Sequence, residues 1–258
     1  MYNVSHPLCS GGFGKIYAGF RIRDGYPVAL KRIRKSRIPL WEDKDKKRPL
    51  EITMMQLLSS LPNVIQLLDW LEDDKYFLLI LERPEPCKDL YKYILEDGII
   101  PEDEAKELFS EAVRIFKEIF GRGIIHHDIK LENILITRDD SGKSTLKIID
   151  FGAANFASEE SCKRCNGTRN YCPPEWFRSQ EFHGQPASVW SLGVVLYEMT
   201  NGKSLFQNKD DILRGKICFD ESLELSPSLK GFILSLLKQD PSERPSLDQM
   251  LSHPWMDF

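Results

Sequence analysis

Ile124-Ile125-His126-His127-Asp128-Ile129-Lys130-Leu131-Glu132-Asn133 is followed seventeen residues later by Asp150-Phe151-Gly152. The first run sets a carboxylate, Asp128, two residues before an ammonium, Lys130, and five before an amide, Asn133. The second adds another carboxylate, Asp150. Phosphoryl transfer asks for this set: a base for the acceptor hydroxyl, a cation against the developing charge, and oxygen ligands for a hard divalent ion. Asp139-Asp140-Ser141-Gly142 reads as a tight turn between apolar stretches 134–137 and 146–149. A short strand pair is expected there, presenting Asn133 and Asp150 to the same Mg²⁺ ions. The rival reading of His126-His127-Asp128 as a transition-metal site lacks a further ligand at helical spacing.

Upstream, Cys9-Ser10-Gly11-Gly12-Phe13-Gly14 lies between two strand-like stretches rather than between a strand and a helix, which excludes a dinucleotide-binding turn and a Walker loop. Glycines there let backbone amides approach phosphates, and they equally permit a tight hairpin. Val28-Ala29-Leu30-Lys31 follows on the next strand. From it Lys31 can reach the α and β phosphates of a nucleotide and pair with a helix carboxylate, for which Glu51, twenty residues on, is the natural partner.

The first eighty residues carry strand signals at 4–10, 15–21, 27–34, 64–71 and 76–82. One helix interrupts them, with Leu50, Met54, Met55, Leu57, Leu58 and Leu61 near 3.6 periodicity and Pro49 suited to its first turn. Helical patterns then dominate. The clearest, 102–120, sets Ala105, Leu108, Phe109, Ala112, Phe116, Ile119 and Phe120 on one face before Gly121 stops it. Glu82-Arg83-Pro84-Glu85-Pro86 is too proline-rich for helix or central strand and reads as the connection between two lobes. The expectation is an α+β chain, a single domain over 1–258, with a β-rich N-lobe at 1–82, a hinge at 83–86 and a mainly helical C-lobe at 87–258.

With 258 residues, 41% of them hydrophobic and 29% charged, the chain can bury a core. A net charge of −4 and a pI near 5.8 argue against nucleic acid or an anionic membrane as partner. The basic runs at 31–37 and 44–48 read as solvated strand edge and loop. The opening residues lack a secretory pattern and no apolar run is of membrane-spanning length, so the chain is expected to be a cytoplasmic monomer, with the nucleus also open to it. Six scattered cysteines suggest free thiols in a reducing compartment, which also sets aside the glycosylation patterns at Asn3 and Asn166. Cys162-Lys163-Arg164-Cys165 lacks the second pair that zinc would need; a redox pair favoured as thiolate by Lys163 and Arg164 stays open beside idle thiols.

Together these motifs run in protein kinase order along nearly the whole chain. More narrowly, the chain resembles the Pim family of serine/threonine kinases through Leu67-Leu68-Asp69-Trp70, Leu79-Ile80-Leu81-Glu82-Arg83-Pro84-Glu85-Pro86, Glu132-Asn133-Ile134-Leu135-Ile136, Gly167-Thr168-Arg169, Pro173-Pro174-Glu175-Trp176, Val189-Trp190-Ser191-Leu192-Gly193 and His253-Pro254-Trp255-Met256. The resemblance implies a bilobal kinase fold that binds ATP with Mg²⁺ between its lobes and phosphorylates Ser or Thr of protein substrates. It implies constitutive activity and a preference for upstream arginine. Ile16, Ala29, Leu81, Leu135 and Ile149 would line the adenine slot, with Leu81 controlling access behind it. Pro84 has no N–H, so the Glu82 carbonyl would be left as the hinge acceptor.

Asp89, Glu132 and Thr168 are the implied substrate contacts, and Arg244 the implied partner of Glu175. Lys130 within the loop is the serine/threonine rather than tyrosine form. Departures bear on function. Cys9 stands where a glycine is usual, and Lys92, Leu131 and Lys203 stand where the family is acidic, which weakens the pull on arginine. Ser188 replaces an aspartate that in many kinases braces the catalytic loop. His127 replaces the arginine that would hold a phosphorylated activation loop, so control by phosphate on Ser158, Ser161 or Thr168 is not expected. The alternative is a pseudokinase acting as a nucleotide-binding scaffold.

Overall fold

A computed structural model describes residues 1–11, 14–43, 45, 47–138, 143–158, 162 and 167–257, without the side chains of 10, 11 and 138. The glycine-loop residues Gly12 and Phe13, the 139–142 turn, Lys44, Lys46, Ser161, Lys163, Arg164, Cys165 and Asn166 therefore lie outside the described residues. The chain forms two compact units, Met1–Cys87 with Thr137–Ala153, and Lys88–Ile136 with Ala154–Phe258.

The first unit is built on a five-stranded antiparallel sheet. β1 (Tyr2–Gly11), β2 (Gly14–Arg21), β3 (Pro27–Arg34), β4 (Leu67–Glu72) and β5 (Tyr76–Glu82) follow the order β1-β2-β3-β5-β4. On β3 the two-residue repeat separates faces. Val28 and Leu30 pack with Ile80 against Tyr2, Tyr17 and Leu78, while Lys31 and Ile33 point the other way. Each fully buried aliphatic or aromatic side chain contributes about 1.5–3 kcal/mol.

The expected helix is α1 (Leu50–Leu57), shorter than its periodicity suggested, with Pro49 as the cap rather than within the first turn. Its buried face is Leu50, Glu51, Ile52, Met54 and Met55, and Leu57 is exposed, so a leucine in register was not a core residue. The strand expected from 64 starts only at Leu67. Residues 63–65 turn instead to a later segment: Ile148 donates its N–H to Asn63 O at 2.8 Å and Ile65 donates to Ile148 O at 3.0 Å. These bonds seat the segment leading to Asp150.

The second unit is mainly helical. α2 (Leu90–Asp97) and α3 (Glu102–Gly121) come first; α3 opens on Glu102, Asp103 and Glu104, whose charge suits a helix N-terminus. Its expected apolar face is buried except Phe120, which is half-buried. After α4 (Pro174–Ser179), α5 (Gly184–Asn201) is buried nearly all round, as an almost wholly apolar helix must be. Gly193 permits the close approach of its neighbour: a Cβ there would lie 2.8 Å from Leu236 Cβ. α6 (Lys209–Arg214), α7 (Pro227–Leu236) and α8 (Leu247–Leu251) complete the unit. Strands lie at Ile134–Arg138 and Ser144–Ile148, on either side of the undescribed residues 139–142.

Candidate active site

In the first unit Lys31 lies mid-β3, opposite Ile16 of β2 and Leu79 of β5, and is only 3% exposed. Its ammonium donates to Glu51 Oε1 at 2.5 Å and to Asp150 Oδ1 at 2.7 Å. Burial alone would push the Lys31 ammonium down; the Asp150 and Glu51 carboxylates outweigh it and hold the pKa above its ordinary value. Burial pushes the Glu51 carboxyl up, against the pull of Lys31, and Asp150 adds to the rise. Two carboxylates around one cation leave local negative charge in excess. Asp150 itself sits at φ 63, the left-handed region that costs a non-glycine residue on the order of 1 kcal/mol. Gly152 fits beneath this cluster, where a Cβ would meet Asp150 Oδ1 at 3.2 Å and Glu51 Oε2 at 3.4 Å.

The strands on either side of the glycine-rich stretch pair antiparallel: Cys9 is opposite Ile16, Ser10 opposite Lys15 and Gly11 opposite Gly14, with Cys9 exposed. Gly14 has a packing reason of its own, since a Cβ there would lie 2.3 Å from Arg32 O on β3. Of the expected adenine-slot residues, Ala29 faces Leu81 across the β3–β5 ladder, Leu81 is buried, and Ile16 and Ile149 are half-buried. Glu82 ends β5 opposite Val28. Leu135 belongs to the second unit and is half-buried.

The second unit assembles the catalytic-loop residues around one carboxylate. Asp128 is 4% exposed. Its Oδ1 accepts from the Thr168 N–H at 2.8 Å and the Thr168 hydroxyl at 2.9 Å; its Oδ2 accepts from Asn133 Nδ2 and lies 3.0 Å from Lys130 Nζ. Lys130 also donates to Thr168 Oγ1 at 2.8 Å, and Asn133 Nδ2 donates to Asp128 O at 2.8 Å. Buried His126 orients the loop by accepting the Asp128 N–H at Nδ1, 3.2 Å away. Asp128, Lys130, Asn133 and Thr168 thus meet in one hydrogen-bonded group; Asn133 lies in the second unit and Asp150 in the first.

His127 has φ 61, and its ring meets Phe182 edge-on with centroids 5.5 Å apart. Burial and neighbouring His126 push its pKa down to about 4, so the imidazole is neutral near pH 7. Phe182 in turn packs edge-on against Trp176, and its backbone exchanges two hydrogen bonds with Cys162, at 2.7 and 3.2 Å. Gly167 passes directly over His127, where a Cβ would lie 2.3 Å from His127 O. The Ser188 hydroxyl returns to Gly184 O within its own helix.

Asp89 caps α2, accepting the Lys92 N–H at 2.8 Å, and pairs with Lys92 Nζ at 3.3 Å; Glu132 is exposed. Arg244 meets Glu175 with two parallel bonds of 2.8 and 2.6 Å. The sequence reading missed buried Glu198, which accepts the Tyr171 hydroxyl at 2.5 Å and the Leu205 N–H at 3.3 Å. Burial pushes the Glu198 carboxyl up, against the Tyr171 bond. The available signal was an acidic residue inside the apolar run of α5. One cysteine expectation is corrected. Cys172 is disulfide-bonded rather than reduced, a state that chain spacing could not show. Cys162 is a free thiol, in line with the idle-thiol reading, and burial raises its pKa, which disfavours the thiolate of the redox alternative.

A strand-rich unit with a buried Lys-Glu-Asp cluster and a helical unit with an Asp-Lys-Asn loop define a phosphotransferase of the protein kinase class. The family model described as Protein kinase domain matches residues 2–256, and the chain belongs to that family. It is 37% identical over 266 residues to the serine/threonine-protein kinase pim-2 of Danio rerio, covering 99% of this chain and 84% of that protein. It is 38% identical over 260 residues to the serine/threonine-protein kinase prk-2 of Caenorhabditis elegans, covering 99% of this chain and 58% of that protein. Sperm motility kinase Z of Mus musculus is 30% identical over 262 residues, with 99% and 50% covered. The chain is a serine/threonine protein kinase. Among the described residues no helix is long and apolar enough to cross a membrane.

Proposed function

We propose that this is an active Pim-like kinase that transfers the γ-phosphoryl group of Mg-ATP to Ser and Thr hydroxyls of proteins without prior phosphorylation of its own loop. The observation that carries the reading is the hydrogen-bonded group around Asp128. Both Asp128 oxygens are held, so the carboxylate is fixed in place to take the acceptor proton, and Lys130 stands beside it to neutralise charge.

The donor set fits the nucleotide. Lys31 offers an ammonium braced by Glu51, Asp150 a quarter-exposed carboxylate, and Asn133 an amide whose nitrogen is used by Asp128, leaving its oxygen for a metal. Hard oxygen donors and excess negative charge suit Mg²⁺, which is held by one or two protein oxygens together with phosphates. Bound Mg-ATP supplies the phosphoryl group; Lys31 and Asp150 hold and orient it, with Ile16, Ala29, Leu81, Leu135 and Ile149 about the base and Glu82 O as hinge acceptor. In this reading 1–82 and 87–258 are the lobes and 83–86 the hinge.

Loop-phosphate independence rests on His127. A neutral imidazole packed on Phe182 offers no standing charge for a phosphate, and the Cys162–Phe182 backbone bonds fasten the segment without one. Arginine preference is weak, because Asp89 is already engaged by Lys92 and Glu132 is the exposed carboxylate that remains of the pair. The test is transfer of labelled γ phosphate to peptides differing in upstream arginines and in Ser, Thr or Tyr acceptors, beside Asp128→Asn. Transfer to Ser and Thr peptides that Asp128→Asn abolishes is expected. No transfer, with a nucleotide-induced rise in Tm, would overturn the reading in favour of a binding scaffold.

A further inference from the structure

Lys147 lies three residues before Asp150, on the Ser144–Ile148 strand, and the reading of the reaction gives it no part. Its ammonium forms a short ion pair with Glu82 Oε1 and donates to Pro62 O at 2.8 Å. The side chains are 20% and 12% exposed, so solvent screens this pair far less than a surface one. Three segments of the first unit meet at this nitrogen: the end of β5, the 62–66 loop and the strand running to Asp150. Backbone bonds converge on the same place, with Glu82 N–H donating to Gln66 O at 2.9 Å and Asn63 Nδ2 to Leu146 O at 2.9 Å. The next residue, Arg83, is fastened as well, donating from Nε to Val28 O at 3.1 Å.

We infer that Lys147 is a positioning residue for nucleotide binding, a strut that fixes the Glu82 backbone as acceptor for the adenine base and ties it to the segment bearing Asp150. The inference rests on the reading of Glu82 as the hinge acceptor. Removing the ammonium frees the Glu82 side chain and unfastens Pro62, so the base-binding carbonyl is left to the Val28 pairing and the Gln66 bond alone and loosens. Lys147 touches no reacting atom, so its loss acts on nucleotide affinity and leaves the chemical step alone.

The experiment compares wild type, Lys147→Met, Lys147→Arg and Glu82→Gln by steady-state kinetics and by the Tm rise that Mg-ADP induces. Lys147→Met is expected to raise the KM for ATP about tenfold, with kcat and the KM for peptide within about twofold, and to shrink the Mg-ADP shift. Glu82→Gln should reproduce the effect, the double variant should add little to either, and Lys147→Arg should restore ATP affinity to within about threefold. A KM for ATP and a Mg-ADP shift both unchanged in Lys147→Met would overturn the inference. So would a lowered Tm with ATP and peptide KM rising together, which marks a merely structural strut. A wild-type chain with no Mg-ADP shift would overturn the kinase reading itself, and the inference with it.

Discussion

Thr168 gives both its backbone N–H and its hydroxyl to a single oxygen of Asp128, at 2.8 and 2.9 Å, while the same hydroxyl accepts from Lys130. One side chain thereby fixes the Asp128 carboxylate, the proposed base, together with the Lys130 ammonium. Thr168→Ala removes two hydrogen bonds to charged groups and keeps the backbone one. A fall in kcat of about 10- to 100-fold is expected, with Thr168→Ser close to wild type. Equal activity of the Ala and Ser variants would show that the hydroxyl does not position Asp128.

The Lys31 cluster predicts an asymmetry in stability. Lys31→Met leaves Glu51 and Asp150 facing each other without the cation, a loss of about 3–5 kcal/mol for an uncompensated buried charge. Glu51→Gln leaves Lys31 paired with Asp150 and should cost less, about 1–2 kcal/mol. Urea midpoints decide between them, and equal losses would contradict the arrangement. The cost of Lys31→Met should also shrink as pH falls, because Glu51, whose pKa is raised, then takes a proton.

His127 should make stability pH-dependent. Its pKa is about 4 in the fold against 6.5 unfolded, so the unfolded chain binds the extra proton between those values. The stabilisation is therefore complete above about pH 6.5 and is lost as pH falls toward 4, on the order of 3 kcal/mol in all. His127→Asn, which tolerates φ 61, removes the titration. Wild-type minus variant unfolding free energy should fall as pH drops through that window and stay constant above it; a parallel pair of pH profiles would refute a desolvated neutral imidazole.

Two glycines should respond oppositely to alanine. At Gly167 a Cβ would lie 2.3 Å from His127 O, so the backbone must move, at a cost of about 1–3 kcal/mol and with loss of transfer because Thr168 is the next residue. At Gly121, where nothing lies within 4 Å of a Cβ, Gly→Ala should be neutral or slightly stabilising. Thermal unfolding of the two variants separates close packing from a general sensitivity to substitution.

The residues that carry short-range chemistry could be read from the chain. Asp128, Lys130 and Asn133 lie within six positions, and a loop that short brings them together whatever surrounds it. The five strands, α3 and the pairing of Lys31 with Glu51 were likewise legible, because alternation and helical period record which face is buried. The edges were not. Leu57 matched the helical period of α1 yet is exposed, and 64–66 looked like strand, but Ile65 bonds instead to Ile148 in the segment before Asp150.

Contacts between distant positions belong to the tertiary structure alone. Lys31 and Asp150 meet across 119 residues and Lys147 and Glu82 across 65, whereas the pairing of Arg244 with Glu175 was already implied by the family resemblance. Likewise the neutral state of His127, the burial of Glu198 beneath Tyr171 and the disulfide at Cys172 depend on what folding packs beside each group. The sequence by itself determined which groups are present and which neighbours along the chain share a face. Three-dimensional packing decided which of them are desolvated and paired, since a side chain's charge and partners follow from the atoms around it and not from its position in the chain.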